Sequence, residues 1–532
     1  MSRRSSAIAL LALAWLLPPA AGAAEAPSAR HELVGRVSVG ASPSERRDVG
    51  YHSLRDGPPG APKVYAGEGS PGAAAAPASL CPAPCSWTQF EGIGNLDDLT
   101  PGDPTGAAGD SHVFVAVNVH AQLFDKSGTS LLGPFSLGGL FGNPAEQLFD
   151  PRVIYDQYGQ TFVLAFLGEG GRNRSHIYFV TIPEATAEDS GTWCGTIVNG
   201  DQSRHDGAQF ADYTGLGYDQ DRVYVATNQF GSTTGKFFGA QIVVFNKSIL
   251  YDCATALKFK AFTTDDTRLT NGRKSQSIQP AASVGADEDP EFLLSFDAHC
   301  PTSQCTGRKV VLFRMRVADG KLRLGVTRMG SGYVESSIGT QKGGSTTNSG
   351  TFWDTGDLRF ANAFYDSDAN RVYAAHAVAA DLDEGDGYIE AVNRWYEVAP
   401  AGHLADSAIL RMGLVGTPES DAGWPVVATD EAGNLFLNYS RASAVAGSEE
   451  YLSSYAATVP PASTDADGIL LLKAGEARYE WLPGPERWGD YNGINRDPVD
   501  GTHIWMINQY AKSTGGLTTL DFKQVVDEVS HI

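Results

Sequence analysis

Positive charge, cysteine, methionine and long apolar runs are all scarce in this chain, and each scarcity narrows what it can be. Its 40 lysines and arginines face 62 aspartates and glutamates, a formal net charge of −22. Nucleic acid and anionic membrane surfaces both need a basic face, so neither is an expected partner. The acid excess reads as a solubility device. No run approaches the ~20 apolar residues of a membrane helix, so insertion is not expected. The six cysteines lack a matched pair of Cys-x-x-Cys hooks, which argues against zinc. A catalytic motif of high specificity is also missing.

The ends carry clearer signals. Arg3 and Arg4, the apolar run Ala7 to Leu17 and Ala21-Gly22-Ala23 read as a secretory signal peptide over residues 1–23. Residues 24–85 are Pro/Gly/Ala-rich and read as a flexible leader with one short strand at His31 to Val39. Export implies a secreted or periplasmic protein, in which cysteines pair. Cys81 with Cys85 and Cys300 with Cys305 have the spacing of local loop pins, leaving Cys194 with Cys253 as a long-range pair.

One phrase recurs seven times, beginning at Asp103-Pro104, Asp150-Pro151, Asp212-Tyr213, Gln279-Pro280, Asp357-Leu358, Trp424-Pro425 and Asp490-Tyr491. Each copy continues with small or β-branched residues, reaches an aspartate (Asp110, Asp156, Asp219, Asp287, Asp366, Asp430, Asp497), then enters an apolar run. With Gly 60 and Met 5, the composition suits a turn-rich body of strands. The pattern predicts an all-β fold over residues 86–532, a seven-bladed β-propeller of four-stranded antiparallel blades. The last copy is short of a fourth strand, and Ser86 to Ile93 alternates apolar and polar. It is expected to supply the missing outer strand and close the ring. The recurring aspartates read as structural turn residues.

In such a fold the first strands of the blades open on one mouth, where Asp150, Asp212, Asp357 and Asp490 begin and Arg152, Arg359 and Arg487 sit beside them. Arginine forks there suit an acidic sugar. His205, Asp212, Tyr213, Asp357, Asp490 and Tyr491 are the candidates for proton transfer. Trp353, which ends the long Gly/Ser-rich segment Gly330 to Gly356 expected as a loop, and Trp488 are candidates for stacking on sugar faces. The same aspartates could instead cap backbone amides or lock neighbouring blades to the arginines. His120, His176, His299 and His376 fall toward the same mouth without a ligand spacing. Asp381, Asp383, Asp386 and Glu390 alternate with glycines in the manner of a calcium loop, with a solvated acidic loop as the alternative.

The altered boxes Asp156-x-x-Gly159-x-x-Phe162 and Asp430-x-x-Gly433-x-x-Phe436 resemble those of the secreted bacterial propellers related to sialidases and other Asp-box proteins. That resemblance implies an arginine triad (Arg152, Arg359, Arg487) and a tyrosine nucleophile, Tyr491 or Tyr213. Seven-bladed polysaccharide lyases look similar in outline and imply His and Tyr chemistry instead. The leading expectation is a carbohydrate-active hydrolase or lyase working on an anionic glycan as a monomer. The alternative is a non-catalytic propeller binding a protein or glycan on its top face.

Overall fold

A computed structural model describes residues 31–36 and 83–531, apart from 171–173, 204–208, 254–256, 287–290, 301–304, 338–352, 384–388, 446, 481–485, 516–517 and 520. The expected signal peptide, most of the leader, Cys81, His205, Asp287 and Asp386 lie outside the described residues.

The body is nearly all strand. Its runs are buried on both faces: every residue from Thr161 to Gly168 is buried, as are Val113 to Val117. A sheet covered on both sides needs apolar side chains at every position, which explains continuous runs in place of alternation. Among the described residues the strands pair into antiparallel arrays: three sheets of four strands, one of five, and one of twelve in which parallel pairs join three antiparallel runs of four, with one two-stranded parallel sheet besides. The first strands of these arrays are Thr105–Ala108, Gln147–Asp156, Gln209–Tyr218, Gln279–Val284, Ala363–Asp366, Asp421–Thr429 and Gly493–Arg496. His31–Arg36, inside the expected leader strand, adds a fifth member beside Cys194–Asn199 in the second array.

First strands of neighbouring arrays pack closely, which is why the recurring phrase is rich in small residues. Ala281–Val284 runs parallel to residues 363–366. A Cβ on Gly493 would stand 2.6 Å from the carbonyl oxygen of Gly106. Only glycine allows that approach between the last first-strand and the first. Asn495 spans the same junction, accepting from the Ala108 amide and donating to its carbonyl, each at 2.9 Å.

The seventh array runs Gly493–Arg496, His503–Ala511, Phe522–Ser530 and then Cys85–Gly94, so the early strand pairs with the last one in the chain. Gln89 donates to Asp527 at 2.6 Å, and Gln524 accepts from the Ile93 amide at 3.1 Å while donating to the Ala116 carbonyl at 2.7 Å. Burial pushes the Asp527 carboxyl up to about 7.

The recurring aspartates sit in the turns after the first strands and hold backbone amides there. Asp156 accepts from Tyr158, Asp219 from Asp221 and Arg222, Asp430 from Asn434, and Asp497 from Val499. Two disulfides are present, Cys194–Cys253 and Cys300–Cys305, and Cys85 is disulfide-bonded as well. The expected loop at Gly330 is strand as far as Ser336, the end of Lys321–Ser336. Among the described residues no helix is long and apolar enough to cross a membrane.

Candidate functional site

Each array opens on a residue held in the left-handed region: Asp103, Asp150, Tyr213, Ser277, Gly356, Trp424 and Gly489, with φ between 44° and 90°. Pairing slips at the entrance in the second, third and sixth arrays, so these are bulges that turn the entering chain. Five of the seven are not glycine, and a left-handed conformation there requires surroundings that over-determine it. A dense polar network supplies those surroundings.

Asp150 is its hub. Its Oδ2 accepts from the Tyr491 hydroxyl at 2.8 Å and from the Tyr213 amide at 3.0 Å. Tyr491 in turn accepts from the Thr214 amide at 2.9 Å, and the Thr214 hydroxyl donates to the Asp150 carbonyl at 3.1 Å. Asn118 donates to Asp103 at 2.6 Å and accepts from the Asp150 amide at 3.1 Å. Asp103 accepts from the Asp490 amide at 2.9 Å. The Tyr213 hydroxyl reaches the Phe360 carbonyl at 3.2 Å. Residues far apart in sequence thus meet at one mouth.

Three guanidinium groups join them. Arg487 forks onto Asp490 at 3.0 and 2.9 Å and approaches Asp354 at 3.8 Å. Arg359 holds Asp357 through Nε at 2.9 and 3.0 Å and lies over the Tyr213 ring at 4.3 Å. Arg152 is buried over the Tyr491 ring at 4.7 Å, and among the described residues its Nε and Nη1 have no hydrogen-bond partner.

Crowded carboxyls away from water resist ionisation. Burial, then the neighbouring Asp490, pushes Asp103 up to about 7. Burial with Asp212 and Asp103 raises Asp150 well above the carboxylate range. Asp212 is raised by burial, and Asp354 by burial and Asp490. Burial pulls the Arg359 guanidinium down, but Asp357, Tyr213 and Asp490 outweigh it and leave it well above its ordinary value.

The structure therefore brings together Asp212, Tyr213, Asp357, Asp490, Tyr491, Arg152, Arg359 and Arg487. Two expectations are corrected. Trp353 and Trp488 are 0% and 1% exposed, packed with Tyr479 and Trp424 in the core, so neither offers a face to a sugar. The Trp488 indole lies inside the protein, where its N–H donates to Ser440 at 3.0 Å. Tyr213 and Tyr491 are likewise buried with their hydroxyls engaged. Burial raises both pKa values, so they hold the mouth together as neutral phenols. Sequence reading passed over Asp103, Asn118 and Asp354. Asp103 did carry a signal, since it opens the first copy of the recurring phrase.

The histidines do not converge. His120 pairs with Asp97 at 2.8 Å, His176 with Glu146 at 2.5 Å, and His376 is buried between the Leu358 carbonyl and the Tyr396 hydroxyl. Glu390 turns into the protein, accepting from the amides of Leu382 and Glu419, while Asp381 and Asp383 are exposed. Among the described residues no three His, Cys, Asp or Glu side chains come together in a group that could hold a metal ion.

No protein-family model matches the chain, and no curated protein matches it. Among the solved structures similar at low identity are the following three. A protein of unknown function from Dyadobacter fermentans is 11% identical, with 71% of this chain and 93% of that one covered, at a TM-score of 0.38. A Trypanosoma rangeli sialidase in complex with sialic acid is 9% identical over 72% of this chain and 54% of that one, at 0.36. An endo-arabinanase from Bacillus licheniformis is 15% identical over 57% and 96%, at 0.27.

Proposed function

We propose that the chain is an exported seven-bladed β-propeller, closed into a ring by Cys85–Gly94, that binds an anionic glycan at the Asp/Arg mouth and cleaves it. The close approach of Gly493 to Gly106 and the pairing of Cys85–Gly94 with Phe522–Ser530 support the ring. The disulfides Cys194–Cys253 and Cys300–Cys305 support export, since such bonds persist in oxidising compartments.

One observation carries the functional reading: carboxyls raised by burial share the mouth with three guanidinium groups. The guanidinium groups recognise the substrate's acid groups, and the carboxyls transfer the proton. Asp212 is the proton donor, being raised by burial yet not wholly buried and so able to meet a leaving oxygen. Asp490, carrying the Arg487 fork, is the partner carboxylate. Cleavage by hydrolysis inserts water across the glycosidic bond and leaves a reducing end. Elimination removes a ring proton and leaves an unsaturated uronate.

A second reading, binding without cleavage, is favoured by the fact that Arg359 and Arg487 already hold Asp357 and Asp490. The test is incubation of the protein with acidic polysaccharides, reading reducing ends and the absorbance of unsaturated uronates. Asp212→Asn is expected to lower kcat roughly 100- to 10,000-fold with little change in binding. Retention of wild-type kcat by that variant overturns the assignment of Asp212. Binding without product from the wild type moves the protein to the second reading.

A further inference from the structure

The third array carries an aromatic ladder at the edge of the same mouth. Phe210 lies two residues before Asp212, opposite Phe230 on the next strand, which lies opposite Phe237 on the strand beyond. Directly opposed residues project to the same side of a sheet, and the ring centroids follow at 5.8 and 5.4 Å. All three rings are half-buried, each with a face in reach of solvent. The ladder crosses two strand spacings, about 10 Å, leading outward from the mouth.

Cations flank its outer end. Lys274 lies 5.8 Å from the Phe237 ring and 5.5 Å from that of Phe238, and its ammonium donates to the Phe237 carbonyl at 2.6 Å. Lys236 stands 5.5 Å from the Phe238 ring. Arg268, held by Asp265 at 3.0 Å, is close enough that it and Lys236 both lower the Lys274 pKa, after burial. Two ammonium groups over aromatic rings, with the paired Arg268 beside them, are a local feature on a chain of net charge −22.

The geometry points to a second subsite: Phe210, Phe230 and Phe237, with Lys236 and Lys274, bind the continuation of an acidic polysaccharide whose first residues occupy the mouth. This rests on the glycan reading of the mouth and deepens it, from an acidic sugar to a polymer lying radially across the third array. Rings accept sugar faces and ammonium groups accept uronate or sulfate, so the pairing suits a chain bearing both. A short oligosaccharide fills only the mouth; a long one gains the ladder.

The experiment is affinity electrophoresis of the full chain through gels containing polygalacturonate, hyaluronan or heparin, alongside calorimetry with the dimer of each retarding polymer. Wild type is expected to be retarded by at least one polymer. Phe237→Ala should weaken polymer binding about tenfold, one aromatic contact converted to affinity, and leave dimer binding unchanged. Lys274→Gln, which keeps the stem in place, should weaken it several-fold and make it less sensitive to salt. Both variants migrating as wild type, or a wild type unretarded in all three gels, overturns the subsite. Arg359→Ala separates the two readings. If it abolishes dimer binding while Phe237→Ala changes nothing, the mouth stands and the ladder falls.

Discussion

At the scale of single residues, the mouth depends on Asp150, whose one oxygen takes both the Tyr491 hydroxyl and the Tyr213 amide. Removing the phenol oxygen strands the buried Thr214 amide and leaves that carboxyl oxygen with the Tyr213 amide alone. Tyr491→Phe is therefore expected to cost about 1–3 kcal/mol, read as a lower midpoint in urea at unchanged slope. The aspartates and arginines were legible in the sequence because aspartate opens five of the seven copies of the recurring phrase and an arginine sits beside three of them. The tryptophans Trp353 and Trp488 were misread because a place ahead of a strand entrance does not say whether a ring faces the mouth or the core, and both are buried. Nothing in the letters marks the bulge when Tyr213 or Trp424, rather than a glycine, adopts the left-handed conformation.

Strands and turns were easier to read than their limits. The turn aspartates other than Asp287, which lies outside the described residues, marked the first hairpin of their copies, and Ser86 to Ile93 was recognisable as a strand in search of a partner. The reach of Lys321–Ser336 into the Gly/Ser-rich segment was not, since small polar residues there are paired by Thr306–Ala318. The pairing of Cys85–Gly94 encloses Asp527, raised from 3.8 to about 7. Between those values the native chain holds a proton that the unfolded chain releases. The stability this provides is complete at the acid end and is lost as pH rises through about 7. Urea midpoints should fall from mildly acidic to mildly alkaline buffer, and Asp527→Asn should flatten that fall. Equal slopes for both proteins contradict the assignment. Replacing Cys194 and Cys253 together by serine opens a 59-residue separation. It is expected to cost about 4 kcal/mol in the chain-entropy account, measured as a lowered midpoint.

For the whole molecule, a nearly all-strand body of four-stranded antiparallel sheets was legible and substrate was not. Seven copies of one phrase specify stacked arrays whatever they bind, and function rests on side chains grafted at one end. A net charge of −22 repels acidic glycans at long range, so the mouth must overcome that field locally. Asp103 titrates near 7 beside Arg487 and Asp490, which makes the mouth's charge depend on pH. As pH falls through about 7, one carboxylate is neutralised while the guanidinium groups stay charged. An anion then binds more tightly, and by linkage its binding raises the Asp103 pKa. The most direct measurement is calorimetric titration of an acidic oligosaccharide into the protein on either side of that pH, with wild type and Arg359→Ala. The account predicts affinity that strengthens on the acid side and collapses in the variant. Affinity that strengthens with rising pH, or that survives in Arg359→Ala, contradicts it.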